Sequence, residues 1–159
     1  MSVNQATMVH QEILDPSLVR LNIDPPRDFS SLLDLLAEML DDAGRLVDRA
    51  VYRSDIYARE TEGSTYMGQG IGIPHAKSSG VRAASVCVLR LARPMTYQSH
   101  GESGPVDKVF AIAVPADAGT QHLRILAKIA RMLVDEAFMA EFEASESADH
   151  LVELIANRL

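Results

Sequence analysis

Cysteine is nearly missing: Cys87 is the single one in 159 residues. No internal disulfide can form. Cys87 sits in an apolar run and reads as a buried structural thiol rather than a phosphoryl acceptor. A reducing cytoplasm is therefore the expected location. Basic residues are the minority, with 15 Lys and Arg against 22 Asp and Glu and a formal net charge of −7. That balance argues against nucleic acid or an anionic membrane surface as the main partner, and leaves room for a basic protein. No apolar run approaches the roughly 18–20 residues of a membrane span, so no direct membrane insertion is expected. The opening Met-Ser-Val-Asn-Gln-Ala-Thr has no basic segment followed by an apolar one, so no secretory signal is expected. Internal repeats, low-complexity tracts and long linkers are also absent. With 47% hydrophobic and 23% charged residues, the composition is globular, and residues 1–159 are expected to form one domain with a real core.

Apolar periodicity supplies the elements. Ile13 to Ile23 reads as a strand or two, interrupted at Asp15-Pro16. Ser30 or Ser31 is placed to cap a helix whose apolar face is Leu32, Leu35, Leu36, Met39 and Leu40, ending at Gly44. A second helix is expected from about Asp48 to Thr61, carrying Arg59 near its C-terminal end and stopping at Gly63. Strands are expected at Ser85–Leu91 and Lys108–Val114, the latter closed by Pro115 and apolar enough for a central position. A largely buried helix should run from about Gln121 to Leu133, with Thr120 a candidate cap. Asp135 and Ser147 are placed to cap two further short helices. The first bears Phe138 and Phe142, the second Leu151, Leu154, Ile155 and Leu159. Strands interleaved with helices point to an α/β sheet covered on both faces.

The run Gly63-Ser64-Thr65-Tyr66-Met67-Gly68-Gln69-Gly70-Ile71-Gly72-Ile73-Pro74-His75 carries the most chemical information. Its alternating glycines let the backbone bend and approach a ligand closely. Pro74 fixes its own φ and holds Ile73 extended, so His75 follows on a stiff backbone. Histidine can act as base, nucleophile or phosphoryl acceptor near neutral pH. The competing reading is a strand edge whose His packs in a turn. The Gly-x-Gly-x-Gly spacing is neither the dinucleotide nor the Walker pattern, so no nucleotide is implied.

Other residues have two readings each. The guanidinium fork of Arg59 suits phosphate, but it can equally pair with Glu60 or Glu62. His122 opens a helix, whose N-terminus favours an anion, or it is a surface His after a capping Thr. Ser64 and Thr65 offer hydroxyl donors or are turn residues. The N–H groups of the glycine run, Gly70 among them, are placed to hold phosphate oxygens. His10, His100 and His150 read as surface residues. A zinc site from His75, His100 and His122 has no support in their spacing, and no metal is expected.

These residues carry a family resemblance. Arg59-Glu60, then Gly63-Ser64-Thr65, then Gly70-Ile71-Gly72-Ile73-Pro74-His75 is similar to the phosphorylation-site signature of the fructose/mannitol-type enzyme IIA, the EIIA type-2 domain of the bacterial phosphoenolpyruvate-dependent sugar phosphotransferase system. A second block resembles the family too: Val106–Phe110, Ala113-Val114-Pro115, and the stretch from His122-Leu123 to Leu133. Together the blocks extend the resemblance over roughly residues 10 to 159. Gly72 stands where the family usually has Ala, and Gln69 where it has Asn; neither change removes a reactive group. The resemblance implies a three-layer α/β/α sandwich with a central mixed sheet. It implies His75 as the phosphoryl acceptor, through Nε2, with Arg59 and His122 as catalytic partners and no cofactor. Ser64, Thr65 and Gly70 are the weaker phosphate-binding candidates. The implied donor is the phosphocarrier HPr, and the implied acceptor is the cysteine of a sugar-specific IIB component during sugar uptake. Nitrogen-type members, which regulate other proteins according to their phosphorylation state, match the same blocks and stand as the alternative.

Overall fold

The computed structural model describes residues 13–159. The surface reading of His10 lies outside them. Among the described residues six strands form one sheet: β1 (Val19–Ile23), β2 (Tyr66–Gly68), β3 (Gly70–Gly72), β4 (His75–Ser78), β5 (Ser85–Ser99) and β6 (Glu102–Pro115). Their order is β1-β5-β6-β3-β2, and β4 also pairs with β6. The antiparallel β5–β6 hairpin forms the centre. β1 runs parallel to β5, while β3 and β4 run parallel to β6. β2 is antiparallel to β3, so the sheet is mixed. The long β6 takes β3 along Val106–Val109 and β4 along Ile112–Pro115, which lines His75 up against Ile112.

The expected strands Ser85–Leu91 and Lys108–Val114 are the inner halves of this hairpin. Between Arg90 and Met95 the register shifts through an irregularity. Such a bulge breaks the apolar alternation and hides the outer half of the strand. His100 turns the hairpin at φ 45° and is exposed, as is His150.

Among the described residues five helices cover the sheet: α1 (Phe29–Asp42), α2 (Arg49–Glu62), α3 (Gln121–Leu133), α4 (Glu136–Ala144) and α5 (Ala148–Ala156). Alternation along β5 shows the two faces. Cys87 points to α1, with its Sγ 3.8 Å from Met39 Sδ. Arg90 points to the opposite side and donates to the Phe142 carbonyl of α4 at 2.7 Å. The expected α/β/α sandwich is therefore the observed one. Cys87 is fully buried, and that burial pushes its thiol up to about 12, as expected of an inert structural cysteine. Among the described residues no helix is long and apolar enough to cross a membrane.

The caps differ in part from expectation. Asp28, not Ser30 or Ser31, caps α1: its carboxylate accepts the Ser31 N–H at 2.8 Å. The Ser30 hydroxyl instead accepts from Arg53. Asp48 caps α2, Asp135 caps α4 and Ser147 caps α5. Thr120 occupies the N-cap of α3 without a side-chain hydrogen bond. In the first segment, Asp15 caps a 3-10 turn at Pro16–Leu18, so only Val19–Ile23 is strand.

Under the sheet, Phe142 is fully buried between Phe110 and Phe138, with ring centroids 5.2 and 6.4 Å away. Phe142→Ala removes the centre of this stack and should cost about 3–5 kcal/mol of unfolding free energy in urea titrations. A loss below about 1 kcal/mol would contradict the packing described.

Candidate active site

Hydrogen bonds to two neighbours hold the segment before His75. The Ile73 N–H donates to the Thr65 carbonyl at 3.0 Å, and the Ile112 N–H donates to the Pro74 carbonyl at 3.0 Å. Glycine is required at Gly72, because a Cβ there would lie 2.6 Å from the ring of Tyr97.

The His75 ring is oriented by its own backbone. Nδ1 lies 2.6 Å from the Ile73 carbonyl oxygen. A carbonyl only accepts, so Nδ1 carries the proton and Nε2 keeps its lone pair. Burial holds the His75 pKa below the ordinary histidine value. The Ile73 hydrogen bond opposes that shift, Arg59 adds to it, Glu60 opposes it, and His122 adds to it. The ring is therefore neutral at neutral pH, the form in which a nitrogen nucleophile acts.

His75 opens onto a cleft of about 610 Å³, lined also by Asp55, Arg59, Lys77, His122 and Leu123. Three elements meet there: the last turn of α2, the start of β4 and the first turn of α3. Nη1 of Arg59 donates to the Gly63 carbonyl at 2.9 Å, closing the C-terminal end of α2. A cation is favoured at that end of a helix dipole. Among the described residues Arg59 forms no ion pair, so the alternative pairing with Glu60 or Glu62 is not seen. Nδ1 of His122 is buried with no hydrogen-bond partner among the described residues. Such an unpaired buried polar atom is uncommon and suits a site that takes a ligand. Arg59, His75 and His122 are thus brought together from three separate stretches of chain.

Ser64, Thr65 and Gly70, the weaker phosphate-binding candidates, do not line the cleft. The Ser64 hydroxyl accepts the Tyr66 N–H at 3.0 Å, as a turn residue does. Thr65 is buried, its hydroxyl bonded to Glu60 and Tyr97. Gly70 opens β3 at φ 78°, just after the turn from β2, where a Cβ would lie 2.8 Å from Asp107 Oδ1. Its freedom serves that tight turn and close packing. His100 does not line the cleft either.

Two lining residues escape the sequence reading. Lys77 follows His75 by two positions on β4, on the same face, and its Nζ donates to the Gly119 carbonyl at 3.0 Å. The period of two was the available signal, once β4 is known to be a strand. Asp55 lies one helical turn before Arg59 and accepts from the Ser78 hydroxyl at 2.6 Å. A neutral imidazole with a free lone pair, a guanidinium and a second imidazole at a helix N-terminus can together receive a phosphoryl group on nitrogen.

Comparison with known proteins agrees with this chemistry. The family model described as phosphoenolpyruvate-dependent sugar phosphotransferase system, EIIA 2, matches residues 12–158. The fructose-specific EIIABC component of Bacillus subtilis is 32% identical over 91% of the chain, which spans only 22% of that longer protein. The fructose-specific EIIA component of Haloferax volcanii is 32% identical over 84% of the chain and 86% of its own length. A nitrogen regulatory protein of Bradyrhizobium diazoefficiens is 33% identical over 83% of the chain and 87% of its own. Among solved structures, nitrogen regulatory protein IIA-Ntr from Neisseria meningitidis superposes with a TM-score of 0.75 at 22% identity, covering 93% of this chain and 99% of that one. The IIA-mannitol and phosphorylated IIB-mannitol complex from Escherichia coli gives 0.72 at 20% identity, covering 91% and 97%. At these identities the structural matches speak for the fold alone. The matched model over nearly the whole described length, with the cleft geometry, leads to one conclusion: the chain belongs to the EIIA type-2 family of the phosphoenolpyruvate-dependent sugar phosphotransferase system.

Proposed function

We propose that the chain carries a phosphoryl group on Nε2 of His75, taking it from phospho-HPr and passing it to the cysteine of a sugar-specific IIB component. The observation that carries this reading is the Nδ1–H bond to the Ile73 carbonyl, which leaves Nε2 as the nucleophile in a neutral ring. In the first transfer the Nε2 lone pair forms a new N–P bond as the donor's N–P bond breaks, and the donor nitrogen keeps the bonding pair. In the second, a thiolate sulfur forms the S–P bond as the Nε2–P bond breaks and the imidazole recovers its lone pair. Arg59 and His122 meet the roughly two negative charges of the transferred group. Nearby α3 N–H groups add partial positive charge. The net charge of −7 would speed encounter with a basic carrier at low salt.

A second reading has its own support. The nitrogen regulatory relative is as similar as the fructose-specific ones and of similar length. In that reading the same phosphohistidine acts as a signal, and the chain binds a regulated protein in one phosphorylation state only.

Incubation with enzyme I, HPr and labelled phosphoenolpyruvate, then with candidate IIB proteins, tests the proposal. Label should enter the chain and then leave for a IIB cysteine. Label that enters but passes to no IIB favours the regulatory reading. His75→Ala should abolish labelling while circular dichroism stays unchanged; undiminished labelling would remove His75 from its role.

Arg59→Lys keeps a cation but loses the two-pronged fork. Transfer should slow by roughly thirty- to a thousandfold, on the order of 2–4 kcal/mol, with the fold intact. A full transfer rate in the Lys variant would return Arg59 to capping the end of α2.

A further inference from the structure

Behind the cleft lies a buried acid that the proposed transfer does not use. Glu60 is 4% exposed and, among the described residues, has no cationic partner. Hydroxyls satisfy it instead: Thr65 bonds Oε1 and Ser99 bonds Oε2. The directions follow from the neighbours. Ser99 Oγ accepts the Thr65 N–H at 3.1 Å, so its own proton goes to Glu60. Thr65 Oγ1 spends its proton on Glu60, so in its 2.6 Å contact with the Tyr97 hydroxyl it is Tyr97 that donates. All the hydroxyl protons point toward the carboxylate, the pattern that an ionised acid accepts. A buried carboxylate without a cation is costly, so hydroxyls alone are an unusual arrangement to maintain.

The cluster is joined to the His75 ring through the backbone. Thr65 holds Glu60 by its side chain and the Ile73 N–H by its carbonyl, at 3.0 Å. Ile73 in turn accepts the His75 Nδ1–H at 2.6 Å. We propose that Glu60 is a positioning residue for His75: held by Thr65 and Ser99, with Tyr97 behind them, it fixes the Thr65–Ile73 backbone that orients the ring and stabilises positive charge on that ring. The inference rests on His75 being the phosphoryl acceptor. Attack by Nε2 makes an N–P bond on a ring that still carries Nδ1–H, so the ring is cationic until that proton leaves. The protonated ring is the better leaving group in the next transfer, and a negative charge nearby keeps it protonated. Glu60 raises the His75 pKa, against burial, Arg59 and His122. Around the ring the other charged groups are Asp55 and Glu62 on α2 and Lys77 on β4.

Glu60→Gln keeps the shape and removes the charge. Losing a negative neighbour lowers a histidine pKa. NMR titration of the His75 ring in the unphosphorylated protein should show its midpoint fall by about half a unit or more. The acid limb of acceptance from phospho-HPr should move down with it, because the neutral ring accepts. The alkaline limb of donation should also move down, slowing donation at pH 8 by about threefold or more. Glu60→Asp should bring midpoint and limbs back toward the wild type. A purely structural Glu60 would lower yield or activity without moving either limb. A folded Gln variant with unchanged midpoint and limbs would overturn the proposal. If Gln does not fold, Thr65→Val removes the hydroxyl link in nearly the same shape. His75 Nδ1–H should then exchange faster with water; an unchanged exchange rate would overturn the proposal. A wild type that phospho-HPr does not label would sink the functional reading, while the His75 titration would still report on Glu60.

Discussion

The hydrogen bond from His75 Nδ1–H to the Ile73 carbonyl is the contact on which the site depends. It chooses the tautomer, and with it which nitrogen can attack. It also ties a side chain to the backbone two residues before it, so the ring cannot turn without breaking that bond. Pro74 makes that bond workable. Its ring, crowding the residue before it, keeps Ile73 extended, and its carbonyl accepts from Ile112 of the central hairpin. A reactive group is thus held by the most deeply buried part of the sheet rather than by a free loop.

Electrostatics around the ring are balanced rather than one-sided. Burial, Arg59 and His122 favour the neutral imidazole; the Ile73 bond and Glu60 favour the cation. A carrier that must both accept and release a group needs neither state to be too stable. Cations that welcome an incoming phosphoryl group also resist its departure. Glu60, a buried carboxylate outside the cleft lining, pulls the other way and favours the cation.

Much of this was legible in the sequence, for reasons that can be named. The glycine run ending in Pro74-His75 and the apolar strand ending in Pro115 are local patterns, and local patterns survive without coordinates. Arg59 and His122 stood out through the family blocks they belong to; their residue types alone left an ion pair and a surface histidine open. The packing of Thr65 and Gly70 was not legible because it depends on distant partners: Tyr97 lies 32 residues beyond Thr65, and Asp107 further still beyond Gly70. The outer half of the β5–β6 hairpin was hidden by its bulge, and with it Tyr97 and Ser99. The α1 cap, Asp28, was masked in the sequence by two serines downstream that offer the same short-range signal. Lys77 was passed over because a four-residue strand is too short to show a period.

The position of the phosphoryl group on the ring tests the central claim most directly. The protein would be phosphorylated with phosphoenolpyruvate, enzyme I and HPr, and nitrogen–phosphorus couplings recorded on the labelled histidine at alkaline pH. The expected result is a coupling to Nε2 of His75, with Nδ1 not phosphorylated. A phosphoryl group on Nδ1 of His75, or on any other residue, would contradict it.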